Sequence, residues 1–292
     1  MPERATSVER EIYLDYNSTT PCAKEVVDVM LPYLSQQYGN PSSPHLMGKR
    51  AYAACSDARE QVSELLGCSS AEIVFTSSAT ESNNLVLKGV MAKAQRRKIV
   101  TTAVEHKSVL EPCRVIRDQG IEVVVVPANE EGVVDLERAK DAIDEGTALV
   151  SVQGANNETG VIQPIEHLMK IAHSKGALFH CDAAQLLGKV PLPRSFVEVD
   201  YATFSAHKIY GPKGLGILYI RKGIAHRFLQ PILHGGSQEG GLRAGTLNVP
   251  GVIGAAEACR IVRERVVRDV REITALRDRF ERLIIEALPH AG

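Results

Sequence analysis

No apolar run in this sequence approaches the length of a membrane span. The beginning, Met1-Pro2-Glu3-Arg4-Ala5-Thr6, is polar and carries an acid, unlike a secretory signal or an organellar transit peptide. Charge of one sign is also missing. Lys and Arg number 34 against 35 Asp and Glu, a formal net charge of -1, which gives no general reason to expect nucleic acid or an anionic membrane as a direct partner. The six cysteines, Cys22, Cys55, Cys68, Cys113, Cys181 and Cys259, lie far apart. They show neither metal-site pairing nor the density of a disulfide scaffold, so no metal site is expected and a reducing, cytoplasmic setting is the simplest reading. Internal repeats and low-complexity segments are lacking too.

What is present is a strand–helix alternation. Apolar, often β-branched runs recur at Glu72-Thr76, Lys98-Val104, Glu122-Pro127, Ala148-Val152, Ala177-Cys181, Tyr201-Ser205 and Gly216-Ile220. Helical patterns fill most gaps, as at Thr80-Ala94, Ser108-Gln119, Leu136-Asp144 and Ile165-Ser174. Near-continuous apolar strands between amphipathic helices predict an α/β fold, a mostly parallel sheet covered by helices on both faces. A last amphipathic pattern runs from near Gly251 to Leu288 and reads as an interdomain helix with a solvated, arginine-rich outer face.

Polar clusters follow five of these strands. They are Thr76-Ser77-Ser78-Ala79-Thr80-Glu81, Glu105-His106-Lys107-Ser108, Asn156-Asn157-Glu158-Thr159-Gly160, Asp182-Ala183-Ala184-Gln185 and His207-Lys208. Each alone reads equally well as a turn or a helix cap. Together, at the carboxyl ends of strands in one sheet, they predict a single shared site. Small hydroxylic residues leading into a helix make a phosphate cradle, with Ser78 or Thr80 as an ordinary N-cap otherwise. Asp182, at the edge of the core, needs a cationic or hydrogen-bonding partner, and a protonated heterocyclic nitrogen would serve. His106 could stack on a planar ring or move protons. Lys208, beside His207 and ahead of Gly211-Pro212, is poised as a Schiff-base amine. Phosphate, ring nitrogen and lysine amine converge on pyridoxal 5'-phosphate.

With these residues in hand, the chain resembles the cysteine desulfurases of the NifS/IscS type, in the class V aminotransferase superfamily of fold-type I enzymes. The likeness runs from Tyr13-Leu14-Asp15-Tyr16-Asn17 through Gly39-Asn40-Pro41-Ser42, Ala79-Thr80-Glu81-Ser82-Asn83-Asn84, Glu105-His106-Lys107 and Asn156 to Val161. It continues through Asp182 to Gln185, His207 to Gly214, His234-Gly235-Gly236 and Arg243-Ala244-Gly245-Thr246. The resemblance implies that Lys208 carries the cofactor and shuttles the substrate α-proton, and that Asp182 holds the pyridinium charged. It implies that His106 stacks on the ring and assists proton transfer, Gln185 bonds the phenolic oxygen, and Asn157 contacts cofactor or substrate carboxylate. Ala79 (by its backbone), Thr80, Ser205 and His207 would hold the phosphate. Thr246 would reach the phosphate of a neighbouring subunit in a homodimer. The implied reaction converts L-cysteine to L-alanine and passes persulfide sulfur to a protein acceptor, for iron–sulfur cluster assembly or thiolation of tRNA or DNA. The implied organisation is a large cofactor domain over 16–255, with 1–15 and 256–292 as an interdomain helix and a partly present small domain.

The chain departs from the family at four points. Ser78 and Ala206 stand where glycine is usual. The serine-rich loop with the nucleophilic cysteine, and the arginine that grips the substrate carboxylate, are both absent. The end, Leu288-Pro289-His290-Ala291-Gly292, falls where a small domain should begin, so the resemblance implies a sequence that stops short of it. Cys22, near Thr19-Thr20-Pro21, is the least unlikely substitute nucleophile. Cys181 should point away from Asp182 by strand alternation. Two alternatives stay open: a selenocysteine lyase or related class V aminotransferase, and a non-catalytic cofactor-binding partner subunit.

Overall fold

The computed structural model describes residues 12–288. Seven strands, β1 (Ile73–Thr76), β2 (Lys98–Thr102), β3 (Glu122–Val126), β4 (Thr147–Gln153), β5 (Leu178–Asp182), β6 (Tyr201–Ser205) and β7 (Gly216–Ile220), form one sheet in the order β1-β7-β6-β5-β4-β2-β3. Only β7 runs against its neighbours, because β6 and β7 are joined by the short turn through Gly211-Pro212-Lys213-Gly214. The carboxyl ends of the other six strands therefore lie along one edge of the sheet.

The helices are α1 (Lys24–Ser35), α2 (Leu46–Leu66), α3 (Ala79–Lys93), α4 (Lys107–Asp118), α5 (Leu136–Ala142), α6 (Ile165–Ser174), α7 (Ala225–Phe228) and α8 (Val249–Ala287). Strand residues alternate between two apolar layers, as their period of two requires. Val74, Ile99, Leu149, Tyr201 and Leu218 pack with Leu85, Val90, Val109 and Ile116 of α3 and α4. Phe75, Val100, Val150, Phe179, Phe204 and Ile217 face the other way, onto the side that holds α2, α5, α6 and the start of α8. Both faces are covered, as the apolar strands predict.

Helix α8 changes character along its length. Val252, Ala255, Ala256 and Cys259 are buried, whereas Ile273, Leu276, Phe280 and Leu283 are at least half exposed. The apolar stripe of its second half thus has little cover among the described residues. The α2–α8 contact is built on small residues, with Gly48, Ala51, Cys55 and Ala58 of α2 buried. Of the domain division read from the sequence, residues 1–11 and 289–292 lie outside the described residues.

Candidate active site

A cavity of ≈ 320 Å³ opens at the carboxyl ends of the strands. It is lined from five strand ends: Ser78, Ala79 and Thr80 after β1, His106 and Ser108 after β2, Gln153 and Asn157 at β4, Asp182 and Gln185 at β5, and Ser205, His207 and Lys208 at β6. The sequence-derived set Ala79, Thr80, His106, Asn157, Asp182, Gln185, Ser205, His207 and Lys208 is therefore brought together. Thr246 is not. It sits exposed on the loop before α8, away from the lining of this cavity.

At one end the chain passes from β1 into α3. Ser78, in extended conformation, caps the helix by accepting from the Glu81 N–H at 3.1 Å, and Glu81 Oε2 accepts from Ser77 N–H at 2.8 Å. The amides of the first helical turn have no partners within the helix and give this end positive potential. Gly216 at the start of β7 lies directly beneath: a Cβ there would come within 2.4 Å of the Ser78 carbonyl carbon. Only glycine lets the loop sit this low.

Lys208 stands between the two ends of the cavity. Its Nζ donates to the carbonyl oxygens of Asn17 at 2.5 Å and Ser18 at 2.9 Å. This segment is strapped to the lysine turn: Thr20 N–H and Oγ1–H both donate to His207 O, and Ala23 N–H donates to Tyr210 O. Tyr210 takes a left-handed φ of 62°, a strained conformation for a residue with a Cβ. Burial lowers the Lys208 pKa, against the opposing pull of Asp15 and Asp182, which favours a neutral amine.

At the far end Asp182 is buried. It accepts from Asn83 Nδ2 at 2.7 Å and from Ala184 N–H at 3.1 Å. Burial raises its pKa despite these donors and the positive influence of His106 and Lys208. Behind it Glu105, also buried, accepts at Oε1 from Thr102 Oγ1–H (2.6 Å) and Gln153 N–H (2.9 Å), while Oε2 has no partner among the described residues. Its pKa is pushed up to about 8, chiefly by burial and secondarily by Asp182.

Several participants escaped the sequence reading. Gln153 ends an apolar strand run, Ser18 lies in a turn, and Asn83, which the sequence placed in the Ala79–Asn84 motif without a role, is fully buried against Asp182. Lys189 also went unremarked. Its Nζ donates to Asn17 Oδ1 at 2.8 Å and to Gln185 Oε1, and burial, aided by Lys208, lowers its pKa to about 8.

The profile of the family described as "Aminotransferase class-V" matches residues 12–290. A cysteine desulfurase IscS of Dictyoglomus turgidum is 44% identical over 277 residues, which cover 94% of this chain and 70% of that protein. The chain belongs to the class V aminotransferases, among the cysteine desulfurases. A solved NifS-like protein superposes with a TM-score of 0.91 at 44% identity, covering 94% of this chain and 76% of that one. A structure described as SspA in complex with cysteine gives 0.81 at 38% identity, covering 86% and 72%.

Desulfurases of this family use pyridoxal 5'-phosphate, and the donor set accommodates it. An anion-accepting helix start and the His207 imidazole lie at one end. A buried carboxylate that has no cationic partner in hydrogen-bond contact among the described residues lies at the other, with an amine of lowered pKa between them. None of the six cysteines lines this cavity. Cys22 Sγ donates to Gly211 O at 3.3 Å instead, and Cys181 turns to the opposite face, into the core beside Leu186. Burial drives the thiol pKa of Cys55 up to about 11 and of Cys68, Cys113 and Cys259 to about 12, the reverse of an activated nucleophile.

Proposed function

We propose that this chain binds L-cysteine over pyridoxal 5'-phosphate in the strand-end cavity and cleaves its C–S bond, yielding L-alanine. The observation that carries this reading is the convergence of the Lys208 amine, the buried Asp182 carboxylate and the α3 N-terminus on one ≈ 320 Å³ cavity. The cofactor, when bound, supplies an aldehyde for an amine and a ring that draws electrons from the substrate Cα.

The chain's own groups do the rest. Lys208 Nζ, whose pKa burial lowers, takes and returns the Cα proton. Asp182, held by Asn83 Nδ2 and the Ala184 N–H, would supply the carboxylate for the ring nitrogen. His106 would stack on the ring and assist proton transfer at Nε2, its Nδ1 being turned to Ser108. Gln185, whose Oε1 accepts from Lys189 and whose Nε2 gives one hydrogen to Asn17 O, would offer its second Nε2 hydrogen to the phenolic oxygen. Asn157 would meet cofactor or substrate carboxylate, and Ala79 N–H, Thr80, Ser205 and His207 would hold the phosphate. The overall balance is cysteine plus an acceptor thiol giving alanine plus the acceptor persulfide. With all six cysteines off the cavity, the acceptor thiol comes from elsewhere.

The same reading assigns residues 16–255 to a large cofactor domain, with 1–15 and 256–292 as partial small domain and interdomain helix. The uncovered apolar stripe on α8 supports that division. A homodimer is proposed in which Thr246 serves the neighbouring site, supported by its exposed loop and by exposed Leu31, Leu34, Tyr38 and Tyr52 on and beside α1 and α2. Sulfur passes to a protein acceptor, for iron–sulfur assembly or tRNA or DNA thiolation, in the cytoplasm. Direct binding of nucleic acid or membrane is not part of this proposal, and no helix of the described residues is long and apolar enough to cross a membrane.

The test is borohydride reduction of the protein after loading with pyridoxal 5'-phosphate, followed by peptide mapping. A pyridoxyl mass on Lys208 that is lost in Lys208→Ala supports the assignment. Fixation on another lysine would overturn it.

A further inference from the structure

Asn83 is fully buried on α3, and its amide has two partners, both acceptors of its Nδ2 hydrogens: Ser108 Oγ at 2.9 Å and Asp182 Oδ2 at 2.7 Å. The opposite orientation would set an amide oxygen against a carboxylate oxygen. The charge on Asp182 therefore fixes which way the amide faces. Ser108 Oγ, already receiving a hydrogen from Asn83, has its own left to give, and His106 Nδ1 lies 2.7 Å away. The Ser108 N–H also points at His106 Nδ1, at 3.1 Å. A nitrogen facing two donors must present its lone pair. The imidazole proton is thereby placed on Nε2, the end of the ring left for the cavity that His106 lines.

Helix capping explains only part of this. His106 is the N-cap of α4, and capping accounts for the Ser108 N–H bond. It does not account for the Ser108 hydroxyl bond, nor for Asn83. Asn83 Oδ1 is buried and has no partner among the described residues. A buried amide that forgoes one hydrogen bond while keeping both donors engaged is held there by its neighbours, since an unmade buried hydrogen bond is unfavourable. The amide is a donor to both sides, so no proton can pass along the chain. What passes is orientation.

We propose that Asn83 and Ser108 are positioning residues that couple Asp182 to His106: the ionised carboxylate sets the Asn83 amide, the amide sets the Ser108 hydroxyl, and the hydroxyl locks His106 as the Nε2–H tautomer. The inference rests on the roles given above to Asp182 and His106. It adds that the ring-nitrogen anchor and the proton-handling imidazole, which share no hydrogen bond with each other, are held in compatible states by one buried chain. Loss of charge at residue 182 releases the amide to turn over. The Ser108 hydroxyl would then donate to Asn83 Oδ1 and leave His106 Nδ1 with the backbone donor alone.

The experiment is two-bond 1H–15N spectroscopy on the full chain labelled with 15N-histidine, without cofactor, at a pH where the imidazole is neutral. Of the nine histidines, His106 is assigned by the signal missing from His106→Gln. The wild type is expected to show protonated Nε2 and acceptor-type Nδ1. Ser108→Ala, Asn83→Ala and Asp182→Asn should each weaken that preference by about fivefold or more, the worth of one ordinary hydrogen bond. Ser108→Thr, which returns a hydroxyl, should keep the wild-type pattern. A wild-type Nδ1–H tautomer, or a ratio unchanged in Ser108→Ala, overturns the proposal, and Ser108→Ala suffices should either other variant not fold. Borohydride fixation at Lys208 is scored on the same samples, so a failed functional reading is told apart from a failed coupling.

Discussion

The loop that carries Thr246 is pinned by a buried ion pair whose removal has a calculable consequence. Arg59 of α2 meets Glu239 bidentately, Nη1 to Oε2 at 2.9 Å and Nη2 to Oε1 at 2.5 Å. Phe75 N–H donates to Glu239 Oε2 at 2.7 Å, Arg59 Nη1 also donates to Ile73 O, and the guanidinium lies 4.7 Å from the Phe75 ring centroid. The two side chains are unequally buried, Glu239 at 1% exposure and Arg59 at 21%. Breaking a buried pair from one side costs about 3–5 kcal/mol, because the survivor stays uncompensated. Glu239→Ala leaves an arginine that still reaches water and Ile73 O, plus one unpaired N–H, so about 3 kcal/mol is expected. Arg59→Ala strands the more deeply buried carboxylate and should cost at least as much, toward ~5 kcal/mol. The double variant Arg59→Met/Glu239→Leu should recover most of the loss, since apolar replacement of a buried pair is often near neutral. Urea unfolding by circular dichroism, at unchanged denaturant slope, gives all three values. A Glu239→Ala loss below ~1 kcal/mol, or a double variant no better than the singles, would refute the reasoning.

Three other outcomes follow from the site. Glu105 has its folded pKa raised to about 8 from an ordinary 4.5, chiefly by burial, so its contribution is fullest below about pH 4.5 and is lost as pH rises toward 8. Glu105→Gln does not titrate, and its stability relative to wild type should grow by more than ~1 kcal/mol between pH 5 and 8, read by urea unfolding at each pH; a flat difference would show that Glu105 is ionised throughout. Ser78→Ala removes the α3 cap and should cost about 1 kcal/mol, whereas Ser78→Gly, the usual family residue, should cost only ~0.3 kcal/mol; equal losses in thermal unfolding would mean the cap contributes nothing. Because no cysteine lines the cavity, this 292-residue chain with cofactor, L-cysteine and a protein-free reductant should release little sulfide, and Cys22→Ser should not change the rate. Robust sulfide release that Cys22→Ser abolishes would make that thiol the nucleophile.

All seven runs correspond to the observed strands to within a residue or two at most ends; six were legible because burial on both faces leaves a nearly unbroken apolar run, and the more exposed edge strand β3 through its run of valines. Helix α2 was harder to single out. It packs through Gly48, Ala51, Cys55 and Ala58, so close approach rather than large apolar side chains makes its interface. Strand order was not readable from periodicity at all, since the placement of β7 between β1 and β6 depends on pairing across more than a hundred residues. The site divides along the same line. Residues that follow a strand end announced themselves as polar clusters. Asn83, Ser18 and Lys189 did not, because their roles come from contacts made by distant segments.

Those distant contacts also decide the charge of the cavity. The backbone oxygen of Asn17 accepts from Lys208 and from Gln185, and its side-chain oxygen accepts from Lys189, so one residue gathers two amines. Both lysines have lowered pKa values, and burial comes first among the causes for each; His207 is lowered likewise, by burial and then by Lys208 and Lys213. After burial, Lys208 lowers the pKa of both Lys189 and His207, so holding charge on these groups together is unfavourable unless an anion sits among them. Asp182 presents the converse at the other end, a carboxylate whose pKa burial raises despite the donors and positive groups around it. A ligand with a phosphate at one end and a protonated ring nitrogen at the other would relieve both. Cofactor binding should therefore raise the thermal unfolding midpoint, and Lys189→Met or Asp182→Asn should each reduce that rise; a rise unchanged in both variants would refute the argument.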